Sequence, residues 1–417
     1  MLDIKFIREN VELVKTNCKN RNVKIDIDKL LELDEERRAN LVKIENLRAE
    51  RNQKSKGKPT DDEIAKMREV GENIKKFEIQ QGAVETAYKE LLIQVPNLTH
   101  PDSPIGGEDN FKVIYKNFEP KEFDFSPKDH EELLIKNDLV DFERAAKVTA
   151  SKFYYFKNNL VRVNMALLNY AIDIATQHGF TLMETPDMAK DEILSGIGFN
   201  PRGDETQVYS IENSDLSLIG TAEITIGGYH ANEVLDLSKG PMKYVALSHC
   251  YRTEAGAYGR TSKGLYRVHQ FTKLEMFVFC KPEDSEKQHQ EILEIEKEIV
   301  DGLEIPYHVI DIASGDLGGP AYRKYDIEAW MTMKAGGNKQ GDYGEITSCS
   351  NCTDYQARRL NIKYRKDDGS LEYVHTLNGT AVVTSRFPIV IAENFQQADG
   401  TIAVPKVLKK YCGLDKI

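Results

Sequence analysis

Long hydrophobic runs are missing from this chain, and no stretch approaches the roughly twenty apolar residues that a membrane-spanning helix needs. Charged residues make up 29% of its 417 positions instead. The residues after Met1 form neither an apolar leader core nor a small-residue cleavage site, so no signal peptide is expected. Tryptophan occurs once, and the six cysteines at 18, 250, 280, 349, 352 and 412 are too scattered for a disulfide framework. A reducing, cytoplasmic location is the expectation. No Walker A loop is present, and Gly-Ile-Gly-Phe-Asn-Pro at 196–201 fails the dinucleotide fingerprint at its third glycine. Positive charge is also short: 56 Lys and Arg face 67 Asp and Glu, a net charge of -11. That sign excludes a protein that coats nucleic acid indiscriminately.

What is present begins with periodicity. Met67, Val70, Ile74, Phe77, Gln81, Val84, Tyr88 and Leu91 alternate spacings of three and four, the seam of a coiled coil. Leu30, Leu33, Arg37, Asn40, Ile44 and Leu47 repeat it less cleanly. Residues 55–59 cannot continue a helix, and Thr60 with Glu63 offers a capping box for the next one. The pattern predicts an antiparallel helical hairpin over about residues 27–93. A basic stretch, Lys43, Arg48, Arg51, Lys54, Lys56 and Lys58, sits on it against only Glu45 and Glu50. Alone, that stretch fits a solvated helix face as well as an RNA contact. Pro96, Pro101, Pro104, Gly106 and Gly107 then mark a linker. Beyond it, Leu160, Val163, Leu167, Ala171 and Ile174 line one face of an amphipathic helix that leads into a strand ending at Pro186. A further helix is expected over 287–300, among short strands of a largely antiparallel α+β domain.

Residues 250–277 read as a strand, a Gly-rich basic loop and a second strand. Side chains alternate faces along a strand, so Arg252 and Glu254 share one face, as do Arg267, His269, Phe271, Lys273 and Glu275. Such groups resist burial unless they are paired or hold a ligand. Guanidinium forks suit phosphate, an aromatic ring can stack on a base, and a carboxylate can accept from an exocyclic amine. The pattern describes a nucleoside triphosphate lying on an antiparallel sheet, with His269 equally suited to a structural hydrogen bond.

The Tyr-Arg-Thr-Glu, loop, Arg-Val-His-Gln-Phe order of 251–271 resembles the second signature motif of class II aminoacyl-tRNA synthetases, in the form used by seryl-tRNA synthetases. In the family's order, 153–186 is similar to motif 1, Gly220-Thr221-Ala222-Glu223 to the serine-binding element, and 345–359 to the metal- and ATP-binding strand. Asn378-Gly379-Thr380 through Arg386 is similar to motif 3. The resemblance covers nearly the whole chain. It implies an α+β fold: a class II antiparallel sheet flanked by helices, with an N-terminal antiparallel coiled-coil arm. It divides the chain into a tRNA-binding domain at 1–105 and a catalytic domain at 106–417. The implied activity is that of a serine–tRNA ligase. Serine and ATP give seryl-adenylate and pyrophosphate, and serine passes to the 3′ end of tRNA(Ser), with tRNA(Sec) an open addition. The implied assembly is a homodimer joined through motif 1.

Residue roles follow from the same resemblance. Arg252, Arg386 and Glu345 carry the catalysis, Arg252 at the α-phosphate, where it also draws the serine carboxylate, and Arg386 at the γ-phosphate. Glu254 reads the adenine amine and Phe271 stacks on adenine, while Thr253, Val268, Ile346, Thr347 and Ser348 complete the ATP site. Glu345 and Ser348 hold Mg²⁺, a hard cation that prefers oxygen. Thr221, Ala222, Glu223, Glu275, Asn378 and Thr380 receive serine. Cys349-x-x-Cys352 is a weak zinc signal and is not a metal pair in this family. Arg48, Arg51 and Lys54 are the expected tRNA contacts, on an arm that in the family reaches across the dimer to the tRNA's long variable arm. Two rival readings are a ligase relative that charges a carrier protein, which lacks the arm, and a non-catalytic paralogue. The latter would have lost one of Arg252, Glu254, Glu345 and Arg386, and all four stand.

Overall fold

The structure, a computed structural model, describes residues 1–54, 60–199, 207–254, 264–336 and 339–417. The helix breaker at 55–59 with Lys56 and Lys58, the side chains of Lys54 and Glu63, and the basic loop at 255–263 lie outside the described residues. Two compact units are present, Met1–Leu98 and Thr99–Ile417.

The first unit is helical: α1 (Ile4–Glu9), α2 (Val11–Asn20), α3 (Ile27–Lys54) and α4 (Asp61–Leu92). Asp26 caps α3 by accepting from the Lys29 amide at 2.9 Å. α3 and α4 form the antiparallel hairpin that the spacing predicts. Glu36 meets Gln80 and Arg48 meets Glu78, both through side chains. Leu30, Leu33, Asn40, Ile44, Ile74, Val84 and Tyr88, all from the two expected seams, are buried in it, as are Ile27 and Leu92, which lie outside those seams. Asp34 is also fully buried, held by Arg37 at 3.1 Å and Arg38 at 3.0 Å, a paired charge that periodicity alone does not announce.

The second unit is built on an eight-stranded sheet of β1 (Lys112–Lys116), β2 (Thr181–Glu184), β3 (Met242–Tyr251), β4 (Gln270–Cys280), β5 (Tyr307–Asp311), β6 (Arg323–Gly336), β7 (Lys339–Asn351) and β8 (His375–Val383). Their spatial order is β1-β5-β6-β7-β8-β4-β3-β2. Only the β2–β3 pair is parallel. Of the residues expected to form a linker, Pro96 belongs to the first unit and those from Pro101 onward to this one, where Pro104 and Gly106 accept backbone bonds from Ser314 and Gly315, each at 2.8 Å.

One face of the sheet carries the largest apolar cluster, and a second cluster that includes Phe277 and Phe279 covers part of the other. The helices α5 (Asn158–Gln177), α6 (Ala222–Tyr229), α7 (Ser285–Gly302) and α8 (Phe387–Phe395) complete the layers that matter here. Leu160, Val163, Leu167, Ala171 and Ile174 of α5 enter the largest apolar cluster as their spacing predicts, beside Ile292 and Ile299 of α7 and Phe387 of α8. Leu274, Met276 and Val278 of β4 point into the same cluster. The alternate residues Phe271, Lys273 and Glu275 therefore face the other way, where the sheet is open to a cavity.

Gly379 in the middle of β8 shows how tightly the two faces are coupled. A Cβ there would lie 2.2 Å from Ile292 Cγ2 and 2.8 Å from Glu296 Oε1 of α7. Only glycine lets the helix press against the strand that presents Asn378 and Thr380 to the opposite face. Gly379→Ala should destabilise the second unit by about 1–3 kcal/mol through overpacking. A melting transition unchanged from that of the parent protein would contradict this packing.

Candidate active site

The cavity, of about 230 Å³, opens on the face of β4, β7 and β8 that the core leaves free. Its charged lining consists of four cationic side chains, Arg252, Arg267, Lys273 and Arg386, and four carboxylates, Glu223, Glu254, Glu275 and Glu345. Three opposite-charge pairs form among these eight. Arg267 meets Glu254 at 3.3 Å and Arg386 meets Glu345 at 2.7 Å, while Lys273 meets Glu275 directly. Among the described residues, Arg252 and Glu223 have no partner of opposite charge. Arg252 Nε donates to Gly220 O at 3.3 Å, and its guanidinium lies over the Phe271 ring, 5.3 Å from the centroid. Glu223 Oε1 accepts from Gln356 Nε2 at 2.7 Å and from Asn378 Nδ2 at 3.0 Å.

Strand parity places Phe271, Lys273 and Glu275 correctly but does not extend as far as expected. β3 ends at Tyr251 and β4 begins at Gln270, so Arg252, Glu254, Arg267 and His269 lie outside the strands. Glu254 has a positive φ of 52°, a left-handed turn rather than extended backbone. Arg252, Glu254 and Arg267 still line the cavity, delivered by turns. His269 does not; its Nδ1 is 2.9 Å from Arg252 O, fixing the turn that carries the arginine.

Glu345 and Ser348, three apart on β7, should point to opposite faces of a regular strand. They do not, because the pairing with β6 shifts by one residue: Thr347 lies opposite Ile327 and Glu345 opposite Glu328, leaving Ile346 as the extra residue of a bulge. Glu345, Ile346 and Ser348 all reach the cavity. Thr347 points the other way, its hydroxyl donating to Glu296 of α7 at 2.8 Å, so it is not a side-chain component of the site. Val268 lines the cavity, whereas Thr253 does not.

Thr221 caps α6, accepting from the Glu223 amide at 3.2 Å, and this cap turns Glu223 into the cavity. Ala222, expected among the serine contacts, packs instead into an apolar cluster with Ile224 and Phe277. Thr380 Oγ1 reaches Glu275 Oε2 at 3.5 Å. Residues that sequence reasoning passed over include Tyr266, whose hydroxyl donates to Glu345 O at 3.3 Å and whose ring lies under Arg386, 5.1 Å from the guanidinium. Phe199 and Ser350 also line the cavity. Tyr266 precedes Arg267 within the second motif, and Ser350 follows Ser348 on one strand face. Ser350 was open to the same parity argument; Tyr266, one residue from Arg267, was not, and reaches the site through the turn before β4.

Burial and charge set the carboxylates apart. Burial, then repulsion from Glu275, pushes the Glu223 carboxyl up to about 7. Burial also acts to raise Glu345, but Arg386 and Lys324 outweigh it and hold that carboxyl down at about 2.

The sheet and its charged face define a class II aminoacyl-tRNA synthetase. Residues 207–395 match the class II core domain model for the G, H, P, S and T synthetases, and residues 1–99 match the seryl-tRNA synthetase N-terminal domain. The chain belongs to the seryl-tRNA synthetase family, the ATP-dependent ligases that join serine to tRNA. It is 51% identical to the serine–tRNA ligases of Treponema denticola and Dictyoglomus turgidum, covering 100% of this chain and 100% and 99% of theirs. A seryl-tRNA synthetase from Pyrococcus horikoshii complexed with ATP superposes with a TM-score of 0.91 at 41% identity, covering 100% of this chain and 99% of the other. A cytoplasmic serine–tRNA ligase from Naegleria fowleri in complex with AMP gives 0.87 at 33% identity, covering 100% and 98%.

If the Arg386 pair keeps Glu345 ionised, Arg386→Met should raise the Glu345 carboxyl from about 2 towards the ordinary carboxylate range, because burial is then less opposed. A ¹³C NMR titration of glutamate-labelled protein would measure this. An unmoved Glu345 resonance would assign its low value to another cause.

Proposed function

We propose that this cavity activates serine with ATP and that the residues named above perform the steps. The supporting observation is the unmatched pair: one guanidinium, Arg252, and one carboxylate, Glu223, face the same cavity without opposite-charge partners among the described residues. An α-amino acid carries one group for each. Its carboxylate is drawn towards Arg252 and its ammonium towards Glu223, while Glu275 accepts from its hydroxyl and Thr380 adds a neutral partner.

In the reaction, the serine carboxylate attacks the α-phosphorus of ATP in line, and pyrophosphate leaves. A 3′-terminal ribose hydroxyl of tRNA then attacks the acyl carbon, and AMP leaves. Little acid or base help is needed, so catalysis is positioning plus stabilisation of charge on the phosphoryl oxygens. Arg252 supplies that stabilisation at the α-phosphate and Arg386 at the γ-phosphate. Phe271 offers its ring to adenine, and Glu254 accepts from the exocyclic amine. Arg386 exchanges its Glu345 partner for phosphate in doing so. An ionised carboxylate and a hydroxyl brought to one face by the bulge suit Mg²⁺, so Glu345 and Ser348 would hold it, and the ion would neutralise phosphate charge.

The same reading makes the protein a cytoplasmic homodimer. The six cysteines are buried free thiols, which suits a reducing compartment, and no helix among the described residues is long and apolar enough to cross a membrane. β2 lies at the sheet edge with Leu182 48% exposed, and Val161 and Met165, four apart on α5, are 39% and 60% exposed. These residues fall in the motif 1 segment. At micromolar concentration the protein should sediment at about twice 47.4 kDa; a monomer that still aminoacylates would refute the dimer.

The helical hairpin is assigned to tRNA, tRNA(Ser) first and tRNA(Sec) as an addition. Arg51 is exposed, while Arg48 already meets Glu78 of α4 at 2.7 Å, so Arg48 offers phosphate a shared rather than a free charge. Replacing residues 30–91 by a short Gly/Ser linker should leave serine-dependent pyrophosphate exchange intact and nearly abolish tRNA charging. Full charging by the armless protein would move tRNA recognition elsewhere, and loss of exchange with every amino acid would overturn the adenylation reading.

A further inference from the structure

Gln356, on the helix Tyr355–Leu360 that follows β7, is fully buried and takes no part in the roles assigned above. Its amide is nevertheless fixed at three points. Nε2 donates to Ile197 O at 3.1 Å and to Glu223 Oε1 at 2.7 Å, and Oε1 accepts from Thr376 Oγ1 at 2.6 Å. A backbone carbonyl can only accept, so the amide cannot be turned over without setting oxygen against oxygen at Ile197 and at Glu223. Thr376 is itself fully buried and holds the other end of the amide. Both hydrogens of the amide nitrogen are thus committed, one to each acceptor.

We propose that Gln356 is a positioning residue for serine recognition, holding the Glu223 carboxylate ionised and aimed at the substrate ammonium. This rests on the reading that Glu223 receives that ammonium. Bonds from a donor to a charged acceptor are the strong ones, and a buried carboxylate depends on them. The charged groups acting on Glu223 are Glu275 and Lys273 of β4 and Arg252 beyond β3, with Asn378 of β8 adding a second neutral donor. Glu275 and burial favour the protonated acid, whereas Gln356, Lys273 and Arg252 favour the carboxylate. Only the ionised form attracts an ammonium, so weakening Gln356 raises the pH that serine binding requires.

The test is ATP–pyrophosphate exchange by the full-length protein from pH 6 to 9, comparing the parent with Gln356→Met, Thr376→Val and Glu223→Gln. In the parent, kcat/KM for serine should fall on the acid side near pH 7. Gln356→Met should raise the serine KM by about ten-fold or more and move that acid limb to higher pH, with kcat and the KM for ATP little changed. Thr376→Val, which frees the amide without removing it, should shift both in the same direction by less. A serine KM and acid limb identical to the parent's in folded Gln356→Met would overturn the proposal. Should that variant not fold, the same result in Thr376→Val would do so. Glu223→Gln keeps the two readings apart: it should lose the acid limb along with serine affinity. If its serine KM were unchanged, the assignment of Glu223 itself would fall, whatever Gln356→Met did.

Discussion

A β-sheet with its main apolar core on one face and a cavity lined by eight charges on the other can exist only if those charges nearly cancel and are hydrogen-bonded. Here four cations face four carboxylates, and most are neutralised in pairs. The structure depends on this balance because the opposite face admits no compromise: β4 places Leu274, Met276 and Val278 in the main core, and a one-residue slip would exchange them with Lys273 and Glu275. Register and charge pattern therefore enforce each other. The antiparallel ladders that hold β4 between β3 and β8 keep Phe271, Lys273 and Glu275 on the cavity side.

On the reading proposed above, the balance also explains how one cavity can serve two differently charged substrates. A triphosphate needs concentrated positive charge, and an amino acid needs one charge of each sign. Arg386 and Glu345 are tied to each other, as are Arg267 and Glu254. Arg252 and Glu223 satisfy themselves through neutral partners, a carbonyl and an aromatic ring for the first and two amides for the second. Such partners shape a charge without cancelling it. The chain's net charge of -11 leaves this local arrangement untouched, since the field that matters is made within a few ångströms.

Much of this was legible in advance, and the failures share one cause. Period arguments hold wherever the element is regular. The seam from Leu30 to Tyr88 turns up as buried or half-buried positions, and the α5 stripe from Leu160 to Ile174 as buried ones. They break where the backbone leaves regularity. Glu254 sits in a left-handed turn, His269 serves the turn's own hydrogen bonding, and Ser348 shares a face with Glu345 only through a bulge. A bulge depends on the pairing of two strands distant in sequence, so no local pattern reports it. Thr347 and Ala222 show the converse. A motif marks a stretch of chain, but only the fold decides which of its side chains turn inward, and these two turn to Glu296 and to an apolar cluster.

Gln356 belongs to a third kind of residue, one whose neighbours come from three separate segments, 197, 223 and 376. Nothing in its own surroundings in sequence separates it from a solvated helix position. Its meaning lies in the orientation of a single amide, and that orientation requires a carbonyl, a hydroxyl and a carboxylate to converge. The convergence depends in turn on close packing: Gly196 and Gly227 beside it leave no room for a Cβ against Leu360 and Ile197. The tightly packed wall behind Glu223 and the chemistry in front of it are therefore one construction. On the proposed reading, a cavity that must distinguish an ammonium and a hydroxyl from water gains that discrimination from how little its back wall can move.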